Sequence, residues 1–188
     1  MNTRHMRHSL SLSHSGGYTL IEAMVVVVLI GILLAVATPS FVSLMQRNRA
    51  AGEINGLVGD LQFARSEAIK RGLPVSLCTS SNGNSCQGTP NWHSGWIVFT
   101  DPDKSGSVGA AEVLLRVRPG WNNGDSLVAQ PDVGMVTFGR DGFVVSLPSG
   151  TVMMPLRSAA APSDTSRCLT LNRVGHHKVL PKGTGACT

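Results

Sequence analysis

Four sets of residues in this 188-residue chain have the types and spacing that chemistry would need. The first is a carboxylate in an apolar run, since Glu22 is the sole charged residue between Gly17 and Gln46. An isolated charge in lipid costs about 2.5 to 3.5 kcal/mol at the centre of a span and less near an end, and a partner removes most of that penalty. Cleavage after Gly17 would leave a new amine at Tyr18 while keeping the apolar run. The second set is Cys78, Cys86, Cys168 and Cys187. Their spacing suggests pairing Cys78 with Cys86 and Cys168 with Cys187, although four cysteines allow three pairings. Zinc does not fit: no two of them stand two to four residues apart, and His93, His176 and His177 do not alternate with them as ligands do.

The third set is Asp101-Pro-Asp103-Lys-Ser105-Gly106, followed by Glu112. It follows an EF-hand loop, with oxygen ligands at the first, third, fifth and twelfth places and glycine at the sixth. One reading is therefore calcium held by Asp101, Asp103, Ser105 and Glu112. The other is a polar hairpin loop, because the flanking residues read as strands where an EF-hand has helices. The fourth set is the tail from Arg157, where Arg157, Arg167, Arg173, Lys178 and Lys182 face Asp164 alone, with His176 and His177 beside them. Such groups can pair with phosphates, which demand charge more than sequence; a solvated strand and tail is the competing reading. No nucleophile elbow, zinc-protease motif or phosphate-binding loop is present, and scattered Ser, His and Asp are not a triad, so catalysis has no motif to stand on.

The elements that must position these groups follow from hydropathy. From Ala23 to Gln46 there is no charge, and the apolar heart of this segment, a span over about 20 to 40, matches the ~20 residues a bilayer crossing needs. Arg4 and Arg7 precede it, which would hold that end in the cytoplasm and send the larger part across, while Arg47 and Arg49 beyond it oppose that bias. The first 17 residues carry Arg4 and Arg7 and no acid, so their removal lowers the net charge of +5 and the global charge says little about nucleic acid. A secretory signal places its small-residue cleavage site after the apolar region. Here Gly16-Gly17 comes before it, so the alternative to a cut is an uncleaved anchor. Beyond Pro39, whose missing N–H loosens a helix, Ile54, Leu57, Val58, Leu61, Ala64, Ala68 and Ile69 recur at three- and four-residue steps as an amphipathic helix. Arg47, Arg49, Glu53, Asp60, Arg65, Glu67, Lys70 and Arg71 supply its wet faces, with Glu67 and Arg71 at a supportive i,i+4 spacing. Gly72 and Pro74 end it. Short β-branched and aromatic runs then predict antiparallel strands at 75–79, 96–100, 112–117, 133–138, 143–147 and 168–171, with a turn at Arg140-Asp141-Gly142. Segments 80–94 and 156–166 read as loops. Trp92 and Trp96 could form a stacking surface, but Trp96 alternates with Val98 as a core residue does. The organisation is thus a leader over 1–17, a long helix over 18–72 and a β-domain over 73–188. An exported β-domain meets oxidising conditions, which favours disulfides.

Gly17-Tyr18-Thr19-Leu20-Ile21-Glu22 resembles the cleavage motif of the type IV pilin and pseudopilin superfamily, with tyrosine where phenylalanine is usual. The β-domain is similar to its GspH/FimT branch in Leu77-Cys78 with Cys86, in Trp92-His93-Ser94-Gly95-Trp96-Ile97-Val98-Phe99 followed by Asp101-Pro-Asp103, and in Arg167-Cys168-Leu169. The resemblance implies an α+β fold, a long N-terminal helix, transmembrane in its first half, packed on an antiparallel β-sheet domain. It implies a prepilin peptidase that cuts between Gly17 and Tyr18 and methylates Tyr18, and Glu22 meeting the amine of a neighbouring subunit as helices bundle. Pro39 falls where pilins carry a helix-distorting proline. The chain would then sit in the bacterial inner membrane with its C-terminal domain in the periplasm, before joining other subunits in a pilus or pseudopilus. No enzyme activity, cofactor or small-molecule substrate is implied. In DNA-binding members of the FimT branch a Gly-Arg-x-Arg motif in the tail contacts DNA. Here the matching place reads Asn172-Arg173-Val174-Gly175, then His176-His177-Lys178, so only Arg173 clearly carries over. The expectation is a minor pilin that supports pilus assembly, with double-stranded DNA as a further partner in natural transformation. The cysteine pairs and tryptophan segment favour it over a type II secretion pseudopilin, and the competing class is an anchored enzyme or calcium-binding module.

Overall fold

The computed structural model describes residues 17–147, 150–159, 167–181 and 184. Its first element, α1, runs Leu20–Arg71. Thr19 starts it, since its hydroxyl accepts the backbone N–H of Glu22 at 3.3 Å and so satisfies one of the unpaired donors of the first turn. Glu22 in that turn and Lys70 and Arg71 in the last complement the helix dipole. Gly72 ends it with φ +67°, a conformation that glycine adopts without strain, its N–H still bonded to the Ala68 carbonyl at 3.0 Å. The helix continues through Pro39.

Two units divide the chain, Met1–Phe41 and Val42–Thr188, and the boundary falls inside α1. In the first unit every described residue is exposed, and the helix is long and apolar enough to cross a membrane. In the second unit α1 buries Ala50, Ile54, Leu57, Leu61, Ala64 and Ala68. Val58 is half-buried and Ile69 is 53% exposed, so the stripe is narrower at these two positions than the spacing predicts. Asp60 and Glu67 are corrections of another kind. Both were expected on wet faces, yet both are buried, because arginines follow them in.

The β-strands are β1 Val75–Thr79, β2 Gly95–Thr100, β3 Leu114–Pro119, β4 Ser126–Leu127, β5 Met135–Phe138, β6 Thr151–Arg157, β7 Arg167–Asn172 and β8 His177–Pro181. They form two antiparallel four-stranded sheets, ordered β3-β2-β1-β5 and β4-β6-β7-β8. The main core joins the buried stripe of α1 to Leu77, Trp96, Val98 and Phe138 of the first sheet and Leu127, Met154, Leu156 and Leu169 of the second. β1 and β2 are buried at every residue. Their other side chains, Cys78, Ile97 and Phe99, form a small second cluster with Cys86, Val108 and Met135. A disulfide closes Cys78 onto Cys86, with Cα atoms 5.4 Å apart. Cys168 is also disulfide-bonded, while Cys187 lies outside the described residues.

The strand expected at 143–147 is reduced to one antiparallel bridge, Val144 with Phe138, and a bond from Val145 N–H to the Thr137 carbonyl at 2.9 Å. The Gly139–Gly142 turn is present, and Gly139 N–H bonds the Phe143 carbonyl at 2.8 Å. The ladder is then diverted, because Val144 N–H donates to the Arg173 carbonyl at 2.8 Å and the Ser146 hydroxyl takes the N–H of Thr137. β4, β6 and β8 were not foreseen. β6 carries Pro155, which normally demotes a strand. Met153 exchanges both its backbone bonds with Gln130 on the β4 side, and alternation puts the missing N–H of Pro155 on that side too. The same register joins Leu127 to Leu156 and Gln130 to Met153, which sets Pro155 opposite Val128, so the proline interrupts this short ladder and leaves the β7 side of β6 intact.

Candidate assembly and anion-binding sites

At the N-terminus Gly17 and Tyr18 are exposed immediately before the first turn of α1. Glu22 stands on that turn, exposed, and among the described residues its carboxylate has no hydrogen-bond or ion-pair partner, although its N–H is capped by Thr19. The Gly17–Tyr18 bond thus lies just before the helix, four residues ahead of an exposed carboxylate on its apolar first turn.

Of the tail's basic residues, Arg173, His176, His177 and Lys178 stand at or beside the β7–β8 turn, whereas Arg157 and Arg167 lie at the far end of β6 and β7. Asn172 organises that turn, its side-chain oxygen accepting the N–H groups of Val174 at 3.1 Å and His176 at 2.9 Å. Gly175 has φ +77°, and a Cβ there would lie 3.0 Å from the Gly142 carbonyl oxygen and 3.1 Å from Arg65 Nη1, so only glycine lets the two turns stack. Arg65 of α1 fixes the pair by donating to the Gly175 carbonyl at 3.3 Å. Arg173, His176 and Lys178 are exposed on this turn. His177 is half-buried, its Nε2 3.1 Å from Gln62 Nε2, and burial together with the charges of His176 and Arg65 holds its pKa below the ordinary range. Lys182 lies outside the described residues. Arg65 was expected only on a wet face and Gln62 was not singled out, since nothing in their helical spacing announces a contact with a turn more than a hundred residues later.

The loop between β2 and β3 does not bring its four oxygen-bearing residues together as a metal cluster. Asp101 is buried and accepts the Ser76 hydroxyl at 2.6 Å and the Gly106 N–H at 3.4 Å. Asp103 accepts the Ser105 N–H, which holds its carboxyl below the usual range, and Glu112 accepts the Gly109 N–H at 2.7 Å. Among the described residues no group of three or more His, Cys, Asp and Glu side chains is placed to hold a metal ion. Both tryptophans are core residues: Trp92 donates its indole N–H to the Val133 carbonyl at 2.8 Å, and Trp96 donates to Asp60 at 3.0 Å. His93 lies in a 3-10 turn, with its Nδ1 3.3 Å from both the N–H and the carbonyl oxygen of Leu127.

Sequence reasoning missed two buried ion clusters. In one, Asp60 of α1 meets Arg116 at 2.7 Å and Arg118 at 2.8 Å, both from β3, and Arg116 also lies 3.6 Å over the Phe63 ring. Burial pushes the Asp60 carboxyl up, but the bonds from Arg118, Arg116 and Trp96 outweigh it and hold the carboxyl below its usual range. In the other, Asp125 meets Arg49 at 3.1 Å, the Ser158 hydroxyl at 2.9 Å and the Ala159 N–H at 3.0 Å. Burial again opposes and these bonds again prevail. Glu53, bonded to Asn123, is raised by burial and by the neighbouring Asp125 charge. The available signal was Asp60 at a core-facing step between Leu57 and Leu61.

The family model for the type II transport protein GspH matches residues 53–175. The chain belongs to the GspH family. A second model, the prokaryotic N-terminal methylation motif, matches residues 12–38 of this GspH-family chain. Two crystal forms of the type IV minor pilin FimU from Pseudomonas aeruginosa share its fold. One aligns with TM-score 0.57 at 22% identity over 72% of this chain and 90% of FimU. The other aligns with TM-score 0.52 at 23% identity over 71% and 92%. The GspH family therefore brings the α+β pilin fold expected from the sequence, and its members are structural subunits rather than enzymes.

Proposed function

We propose that this chain is a minor pilin of a type IV pilus, cut by prepilin peptidase after Gly17, methylated at Tyr18 and inserted in the bacterial inner membrane with its β-domain in the periplasm. The observation that carries this reading is Glu22, an unpaired carboxylate at the start of the exposed apolar part of α1, within the matched methylation motif. In lipid such a group is functional by default. The new amine at Tyr18 of one subunit and Glu22 of the next neutralise each other as the helices bundle, which drives docking as the helix leaves the membrane. Glu22→Ala should still insert and be cleaved, yet be missing from sheared filaments. Wild-type incorporation of that variant, or a chain whose size does not change when the peptidase is blocked, would overturn the proposal.

Two finer readings have support. The match to a type II transport protein favours a secretion pseudopilus; deletion of the gene with twitching, DNA uptake and protein secretion scored side by side separates the two machines. The exposed Arg173, His176 and Lys178 support contact with double-stranded DNA during transformation. A gel-shift series across salt should show steep loss of binding, and Arg173→Ala with Lys178→Ala should flatten that slope. No binding at low salt removes the DNA reading.

A further inference from the structure

Arg49, Arg71, Arg116 and Arg118 each meet a carboxylate at 3.1 Å or less, so their charge is neutralised within the chain. Around the β7–β8 turn it is not. Arg65 Nη1 donates to the Gly175 carbonyl and Arg173 Nη2 to the Leu147 carbonyl, both at 3.3 Å. A carbonyl oxygen fixes a guanidinium in place yet leaves its net charge standing. Lys178, Arg140 and Lys104 are exposed, and among the described residues none of the three makes an ion pair.

The fold brings these cations together. Arg140 sits in the Gly139–Gly142 turn, which stacks on the β7–β8 turn: a Cβ at Gly175 would lie 3.0 Å from the Gly142 carbonyl oxygen, and Val144 N–H bonds the Arg173 carbonyl at 2.8 Å. Lys104, from the loop between β2 and β3, shares with Arg140 a cleft of about 460 Å³ at the end of α1. The acids beside them face their own backbone, Asp141 Oδ1 accepting the Phe143 N–H at 3.1 Å and Asp103 the Ser105 N–H at 3.0 Å. A second cleft, of about 270 Å³, has Arg65, Gln62 and His177 in its wall and no acid among its described lining residues. Arg65, Lys104, Arg140, Arg173 and Lys178 thus outnumber Asp103 and Asp141 across the two clefts and the turns between them. Like charges collected in this way repel one another, and a polyanion removes that cost. Duplex DNA carries one negative charge per ~1.7 Å of its axis, in a rigid array. A disordered acidic segment would lose conformational freedom at every contact it made, so the duplex fits better.

We propose that Lys104 and Arg140 extend the DNA-contacting surface of Arg173 and Lys178 into one phosphate-binding row, which runs from the β2–β3 loop across the two stacked turns. The inference rests on the DNA reading of the chain. Its contacts go to phosphates, so the row positions the duplex and carries no preference for sequence. Arg65 stands behind the row and holds the β7–β8 turn in place through the Gly175 carbonyl.

The test is a gel-shift series across salt, with short duplexes of differing sequence and the full-length chain in uncharged detergent. Lys104→Gln and Arg140→Gln should each reduce the slope of log affinity on log salt by about 0.9, one phosphate contact apiece, and weaken binding equally for every sequence. Lys104→Arg and Arg140→Lys keep the charge and should keep the slope. Arg157→Gln, at the far end of β6, should match wild type. A wild-type slope in both glutamine variants, while Arg173→Ala with Lys178→Ala flattens it, would overturn the row and leave the DNA reading standing. An equal loss in Arg157→Gln would also overturn the row, since net charge alone would explain it. Polyglutamate that displaces the duplex at equal charge concentration would give the surface to an acidic protein segment instead. A wild-type chain that binds no duplex at low salt removes the DNA reading and the row together.

Discussion

Asp60 belongs to the buried stripe of α1 and would be a liability there without Arg116, Arg118 and Trp96 around it. Removing one partner of a buried ion cluster leaves uncompensated charge, which costs about 3 to 5 kcal/mol in deep sites. Here the arginine side chains are 39% and 48% exposed, so water takes over part of their solvation. Asp60→Ala should therefore cost less, about 2 to 3 kcal/mol, measured by urea unfolding of the full chain in detergent. Titration sets Glu53 apart from the two buried aspartates. The carboxyls of Asp60 and Asp125 are held below the ordinary aspartate value of 3.8, so the stability they add is present above that pH and is lost as pH falls through their folded values. Glu53 has the opposite sign: raised above 4.5, its contribution is complete below that pH and is lost as pH rises through the folded value. Unfolding followed by tryptophan fluorescence should show an acid limb that Asp60→Asn flattens. Glu53→Gln should instead remove a decline that begins above pH 4.5. A limb unchanged in Asp60→Asn would mean that the cluster does not titrate with folding.

At the level of elements, α1 was legible because apolar periodicity, the Gly72-Pro74 stop and the Glu67–Arg71 pair are local signals, and that pair closes at 2.6 Å. The strands β1, β2, β5 and β7 were legible for the same reason, being dense in β-branched and aromatic residues. β8 was not, since its sequence His177-Lys-Val-Leu-Pro181 is that of an edge strand whose partner alone gives it form. β4 is two residues long and exists through its pairing with β6. The segment 143–147 has the composition of a strand and keeps one bridge to β5, but its Val144 N–H goes to the Arg173 carbonyl, a tertiary choice that local propensity does not contain. The Cys78–Cys86 bridge holds the loop after β1 over the Ile97 and Phe99 cluster. In the chain-entropy account a closed loop of this length contributes about 2 to 3 kcal/mol. Cys86→Ser should lower stability by that amount in an otherwise oxidised chain, and a loss well under 1 kcal/mol would show that the loop packs without its bridge.

The whole molecule is divided by burial rather than by secondary structure. α1 is one helix, yet the residues it buries all lie beyond Phe41, and the unit Val42–Thr188 contains both sheets, both ion clusters and both apolar clusters. The sequence shows this division only indirectly, as a change from an apolar run to an amphipathic stripe, and hydropathy by itself placed the boundary after the helix. The leading part of α1 is apolar and exposed at every described residue, and none of the buried core residues lies on it. A fragment beginning at Val42 should therefore fold by itself. Its new end exposes unpaired helical N–H groups and will fray over the first turn, at a loss of about 1 kcal/mol or less because those residues are mostly exposed. Its melting temperature should fall within about 5 °C of that of the full chain in detergent, as expected for a change of that size in a domain near this length. A fragment that melts more than about 15 °C lower, or without cooperativity, would show that the apolar half of α1 stabilises the β-domain directly.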